Sequence, residues 1–130
     1  MTRPSPRISE SRTSIVIDAL KHLDCAVIYL FGSSGGPDER SNSDIDIAFL
    51  PLNPVSPVEC FDLANLLADQ LGKPVDLVNL QDSSTVFAKE VLRTGFPLWI
   101  GEQHRHEDFE MRVLSDYARL NEERQAILTP

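Results

Sequence analysis

Asp44 and Asp46 stand two residues apart at the start of an apolar run, Asp-Ile-Asp-Ile-Ala-Phe-Leu. In a strand, side chains alternate between faces, so the two carboxylates point one way while Ile45 and Ile47 point the other. Like charges held side by side on an apolar strand repel each other and lose solvation. A divalent cation between them removes both penalties. All-oxygen ligands select a hard ion, magnesium with manganese as the alternative, and such ions serve phosphoryl chemistry. Upstream, an apolar run from Ala26 to Phe31 leads straight into Gly32-Ser33. Gly32 lets the backbone approach a ligand closely, and Ser33 adds a hydroxyl beside free backbone N–H groups, together a phosphate cradle. The competing reading is a β-hairpin with a polar loop and two acids at a strand start.

A third acid follows in Pro74-Val75-Asp76-Leu77-Val78. The segment between Leu50 and Val75 reads as a helix, so the strand holding Asp76 should lie parallel and adjacent to the strand holding Asp46. Asp76 then approaches Asp44 and Asp46 to complete a three-carboxylate cluster. Leu77, Val78 and Leu80 predict burial on both sides of this strand. An acid at a strand edge, paired with Lys73 or capping a turn, is the alternative.

The elements that must position these groups are legible in outline. Glu10 to Leu23 reads as a helix with Ile15, Ala19, Leu20 and Leu23 on one face. Cys25–Phe31 and Asp44–Leu50 read as strands. Pro57 opens a helix that carries Phe61, Ala64, Leu67, Ala68 and Leu71 and stops at Gly72. Val75–Leu80 is a third strand. Asp82 or Ser83 would cap a helix from Ser84 to Arg93, ending at Gly95, and Pro97–Ile100 would be a short strand at a sheet edge. A last helix, within residues 104–128, carries the stripe Phe109, Val113, Tyr117 and Leu120, suited to packing on the domain or meeting a helical partner. His104 and His106 flank Arg105 and read as an exposed helix start rather than a metal site. The order predicts an α/β fold: a small mixed sheet of about four strands flanked by helices. Residues 1–130 form one domain, with 1–8 as a flexible lead.

Composition limits the function classes. Twelve basic against twenty acidic side chains give a net charge of −8, which disfavours direct nucleic-acid binding and action on a long template. A nucleotide remains compatible, since a cation brings the positive charge. Cys25 and Cys60 have no metal-ligand spacing and read as buried free thiols of a cytosolic protein. No segment approaches the roughly 20 apolar residues of a membrane span, and Met1 to Arg7 holds no apolar leader core. The expectation is a cytoplasmic protein. No Ser-His-Asp or Cys-His arrangement suggests a covalent nucleophile.

Gly32-Ser33, ten residues, then Asp44-Ile45-Asp46 matches the signature of the nucleotidyltransferases. With the Val-Asp-Leu-Val strand and the run Val91-Leu92-Arg93-Thr94-Gly95-Phe96-Pro97-Leu98-Trp99, the chain resembles the minimal nucleotidyltransferases of the DNA polymerase β-like superfamily. Within these it resembles the MntA-type antitoxins of HEPN/MNT toxin–antitoxin pairs. The resemblance implies the nucleotidyltransferase fold and Mg²⁺-dependent transfer of AMP from ATP. Gly32 and Ser33 would hold the triphosphate, Asp44 and Asp46 would bind both metals, and Asp76 would ligate the catalytic metal and help deprotonate the acceptor hydroxyl. Many relatives carry an Arg and helix-forming residues after Gly-Ser, whereas Ser34, Gly35, Gly36 and Pro37 follow here. Arg40 is a candidate replacement cation, or a solvated loop residue.

The chain has no second, substrate-gripping domain, so the acceptor is held by a partner or is the partner. The leading expectation is an antitoxin that adenylylates a tyrosine of its cognate HEPN toxin. A steric antitoxin without catalysis, and a small-molecule nucleotidyltransferase completed by a separate helical subunit, are the alternatives.

Overall fold

A computed structural model describes residues 9–32 and 44–128. Their order is α1 (Glu10–Lys21), β1 (Cys25–Phe31), β2 (Ile45–Pro51), α2 (Pro57–Leu71), β3 (Val75–Asn79), α3 (Thr85–Thr94), β4 (Phe96–Ile100) and α4 (Gln103–Leu128). This is the succession that the sequence predicts. The local chemistry sets the bounds. Ser9 and Ser56 cap α1 and α2 by accepting the Arg12 and Glu59 N–H groups, and Pro57 opens α2. Gly72 closes α2 in the left-handed region at φ 70°. The cap of α3 is Ser84, not Asp82 or Ser83: its Oγ accepts the Phe87 N–H at 3.1 Å, while Ser83 Oγ donates back to the Leu80 carbonyl. Helix α1 ends at Lys21, and Leu23 is buried from the following turn.

The strands form one mixed sheet in the order β3-β2-β1-β4. Strand β1 pairs antiparallel with both β2 and β4, and the crossover through α2 brings β3 back parallel to β2. On one face, Ile28 and Leu30 of β1 and Ile45, Ile47 and Phe49 of β2 meet Val16 and Leu20 of α1 and Leu63, Leu67 and Leu71 of α2. On the other, Val27, Tyr29, Ala48 and Leu50 pack with Val91 of α3 and Phe109 of α4.

Three expectations about burial are corrected. The core ridge of α2 is Leu63, Leu67 and Leu71, an i, i+4 row, whereas Phe61 lies outside it, 67% exposed. Strand β3 is an edge strand, so Leu77 and Val78 are half-buried rather than covered on both sides. His106 is not an exposed helix start. Helix α4 begins at Gln103, so His106 stands one turn in and is only 8% exposed, its ring 6.0 Å from that of Tyr29. Glu110 ties the two together, accepting the Tyr29 hydroxyl at 2.7 Å and lying 2.9 Å from His106 Nε2. Cys25 is buried and Cys60 half-buried, both free thiols. Burial pushes the Cys25 thiol up to about 12, with Asp24 adding to the effect. Among the described residues no helix is long and apolar enough to cross a membrane.

Candidate active site

The candidate residues are assembled by three adjacent strands. Strand β1 ends at Phe31, whose partner on β2 is Asp46. The parallel register of β2 and β3 sets Asp46 directly beside Asp76. Alternation along β2 turns Asp46 to the face that carries Ala48 and Leu50, the face covered by α3 and α4. Gly32, Asp46 and Asp76 therefore meet at one end of the sheet, and Asp44 lies two residues ahead of Asp46 at the mouth of β2. Ser33, Arg40 and the run Ser34 to Pro37 lie outside the described residues.

Two features favour glycine at position 32. Its φ of +69° lies in the left-handed region, and a Cβ built on it would stand 2.7 Å from Asp46 Oδ2. The absence of a side chain is what lets the Asp46 carboxylate lie against the end of β1. The Gly32 N–H donates to Thr94 Oγ1 at 3.3 Å, and the Thr94 hydroxyl donates to the Glu90 carbonyl at 2.9 Å. The last turn of α3 thus fastens the backbone from which the Gly-Ser turn departs. Sequence reasoning assigned Thr94 no role. The signal available was its place at the end of α3, just before β4, the strand that pairs with β1.

The electrostatics follow from the register. Asp46 is half-buried, and its carboxyl is held above the usual carboxylate range, first by loss of solvent, then by the Asp76 charge, then by Asp44. A half-buried carboxylate pressed by two others, with hard oxygen donors and a glycine giving the carboxylate room, fits a divalent cation. Among the described residues no three His, Cys, Asp or Glu side chains already stand together at ligand distances. Asp44 and Asp76 are the exposed members of the three. The arrangement suits charge neutralisation at a phosphate, and among the described residues no group of the site is placed as a covalent nucleophile.

Comparison with known proteins agrees with this geometry. The chain is 42% identical over 102 residues to the protein adenylyltransferase MntA of Shewanella oneidensis, covering 78% of this chain and 73% of that relative. Its fold superposes with a TM-score of 0.80 on a crystal structure of a toxin–antitoxin with AMP-PNP, 38% identical over 89% of this chain and 94% of that one. A second structure, a tri-AMPylated Shewanella oneidensis HEPN toxin in complex with MNT antitoxin, gives a TM-score of 0.77 at 36% identity, covering 93% and 96% of the two chains. The polymerase beta nucleotidyltransferase family matches residues 16–104, a stretch that holds Gly32 and all three acids. The chain belongs to that nucleotidyltransferase family.

Proposed function

We propose that this protein is an antitoxin of the type that modifies its toxin: a Mg²⁺-dependent adenylyltransferase moving AMP from ATP to a tyrosine of its cognate HEPN-domain ribonuclease toxin. The single observation that carries this reading is the register that sets Asp46 beside Asp76 and against Gly32. Relatives supply the rest of its support: one bears the name protein adenylyltransferase, and another is the MNT antitoxin in complex with a tri-AMPylated HEPN toxin.

In this reading Gly32 and Ser33 receive the triphosphate at the end of β1, and Asp44 and Asp46 hold the divalent cations. Bound there, Mg²⁺ or Mn²⁺ supplies Lewis-acid neutralisation of the phosphate oxygens. Asp76, on the open edge strand, faces the acceptor and takes the proton from the tyrosine hydroxyl. The hydroxyl oxygen attacks the α-phosphorus, a new P–O bond forms, and the bond to the bridging oxygen breaks, releasing pyrophosphate. The chain acts as one domain and works in the cytoplasm, where ATP is at hand. Its cation comes with the nucleotide, which reconciles a net charge of −8 with a phosphate substrate.

The test is transfer of label from α-labelled ATP to the purified toxin, with Mg²⁺ and with a chelator. Label should reach the toxin only with the cation present. Asp76→Asn should slow single-turnover transfer by about a hundredfold while Mg-ATP affinity changes little. Equal loss of affinity and rate would give Asp76 a structural role, and no label at all would sink the proposal.

A further inference from the structure

Beside Asp76 lies a cleft that the catalytic reading leaves unused. It has a volume of about 540 Å³ and runs between the first turns of α2 and the outer edge of the sheet. All five residues of β3 line it, and Phe61, Val55 and Ala64 form an apolar wall opposite. Its size falls among small-ligand and peptide sites, about 300–1,000 Å³. Phe61 is 67% exposed at its rim and Val58, one turn earlier on α2, is 70% exposed. A large aromatic side chain in water beside a concave apolar surface marks a place where another molecule is received.

The edge of β3 gives the occupant its form. Ile45 N–H bonds the Pro74 carbonyl and Leu80 N–H bonds the Phe49 carbonyl. In a parallel ladder alternate residues bond each neighbour, so the even-numbered residues of β3 serve β2. The backbone groups of Val75 and Leu77 turn outward along the cleft. The Cys60 thiol lies 3.6 Å from the Leu77 carbonyl, a weak contact that leaves the edge short of a strand. Extended peptides add to such edges, taking affinity from the backbone and specificity from alternate side-chain pockets. The lining also holds two acids, Asp76 and Asp82, and no basic side chain. It favours a segment with positive charge. Asp76 belongs to the lining but alternates to the opposite face from Val75 and Leu77, so a chain paired along β3 carries alternate side chains past Phe61 and past the carboxylate that receives the acceptor proton.

We propose that this cleft seats the acceptor segment of the protein substrate: an extended stretch that pairs with the Val75–Leu77 edge, packs against Phe61 and presents its hydroxyl to Asp76, with basic residues beside it. This deepens the proposed function and rests on it. It explains how one hydroxyl would be selected: the segment docks along β3, beside the carboxylates of the site.

Two variants of the full chain, studied with its toxin, test the assignment. Phe61→Arg is at an exposed position, so the fold should stand. It should lower kcat/KM for AMP transfer at least about tenfold, mainly through KM, as expected on losing an aromatic anchor, with Mg-ATP affinity within about twofold of the parent. In the second, a photoreactive benzoylphenylalanine replaces Phe61, and its crosslink should map to the toxin segment that bears the modified residue. Transfer by the parent that Phe61→Arg leaves intact would overturn the cleft and spare the enzyme. No transfer by the parent would sink adenylylation, and a crosslink from the cleft to an extended basic stretch of the toxin would then leave the cleft standing as a docking site. Loss of Mg-ATP affinity in Phe61→Arg would make the cleft a nucleotide seat, and a crosslink to a second copy would make it a dimer face; either overturns the proposal.

Discussion

At the scale of single residues the site is a balance between a glycine that makes room and carboxylates that crowd it. Asp46 is held above its ordinary pKa, so the folded state keeps that proton more tightly than the unfolded chain does. The stability this provides is complete below the ordinary carboxylate range and is lost as pH rises through the raised value. At neutral pH the ionised Asp46 therefore weakens the cation-free fold. Asp46→Asn should raise the melting temperature without metal by roughly 1–3 °C at pH 7, a small gain because the group is partly exposed and screened. Near pH 3 the advantage should vanish. Adding Mg²⁺ should raise the parent's melting temperature and leave the variant's unchanged. Gly32→Ala meets two obstacles at once, a positive φ and the Asp46 Oδ2 at 2.7 Å. It should cost about 1–2 kcal/mol in denaturant titrations and displace Asp46 enough to lower transfer more than stability. Unchanged activity in Gly32→Ala would show that the carboxylate does not need the space the glycine leaves.

At the scale of elements, what could be read from the sequence was what a local rule controls. Strand β1, helix α2 and its glycine stop follow from a continuous apolar run, from a proline at the first turn and from a left-handed cap. The parallel pairing of β2 with β3, and with it the meeting of Asp46 and Asp76, follows from a crossover helix. What escaped was what depends on neighbours far along the chain. Phe61 falls on one helical stripe with Ala64 and Ala68, yet the sheet accepts the Leu63–Leu67–Leu71 row and leaves Phe61 in water. His106 carries no local sign that it will be covered, because Tyr29, its neighbour, lies 77 positions earlier. Thr94 is one more helix-terminal threonine until β4 returns beside β1 and brings it to Gly32. The tie between β1 and α4 is itself testable. Tyr29→Phe keeps the ring but removes the hydroxyl that Glu110 accepts, leaving His106 as its neighbour. The loss should be about 1–2 kcal/mol, seen as a lower denaturation midpoint. A neutral effect would mean that α4 is held by its other contacts, such as Val113 and Phe109. Cys25, with its thiol pushed up to about 12 and fully packed, should resist alkylation until the protein unfolds, whereas half-buried Cys60, its thiol also raised by burial and by Asp82, should react slowly but measurably in the native state.

At the scale of the whole molecule, the sheet separates two tasks. The α1–α2 side and its packed leucines hold the strands in register, while the end of the sheet gathers the carboxylates that raise the Asp46 pKa. That division suits a protein whose second substrate is another protein. The attached nucleotide would set a bulky anion on the toxin and obstruct the binding of RNA by charge and volume. The most direct measurement is the intact mass of the toxin after co-expression with this chain, and with the Asp44→Asn, Asp46→Asn double variant. The account predicts one or more additions of about 329 Da, an AMP group less water, in the first case. In the second it predicts an unmodified toxin that still poisons the cell. A toxin neutralised equally well by the double variant, with no added mass in either sample, would contradict it and leave steric inhibition as the mechanism.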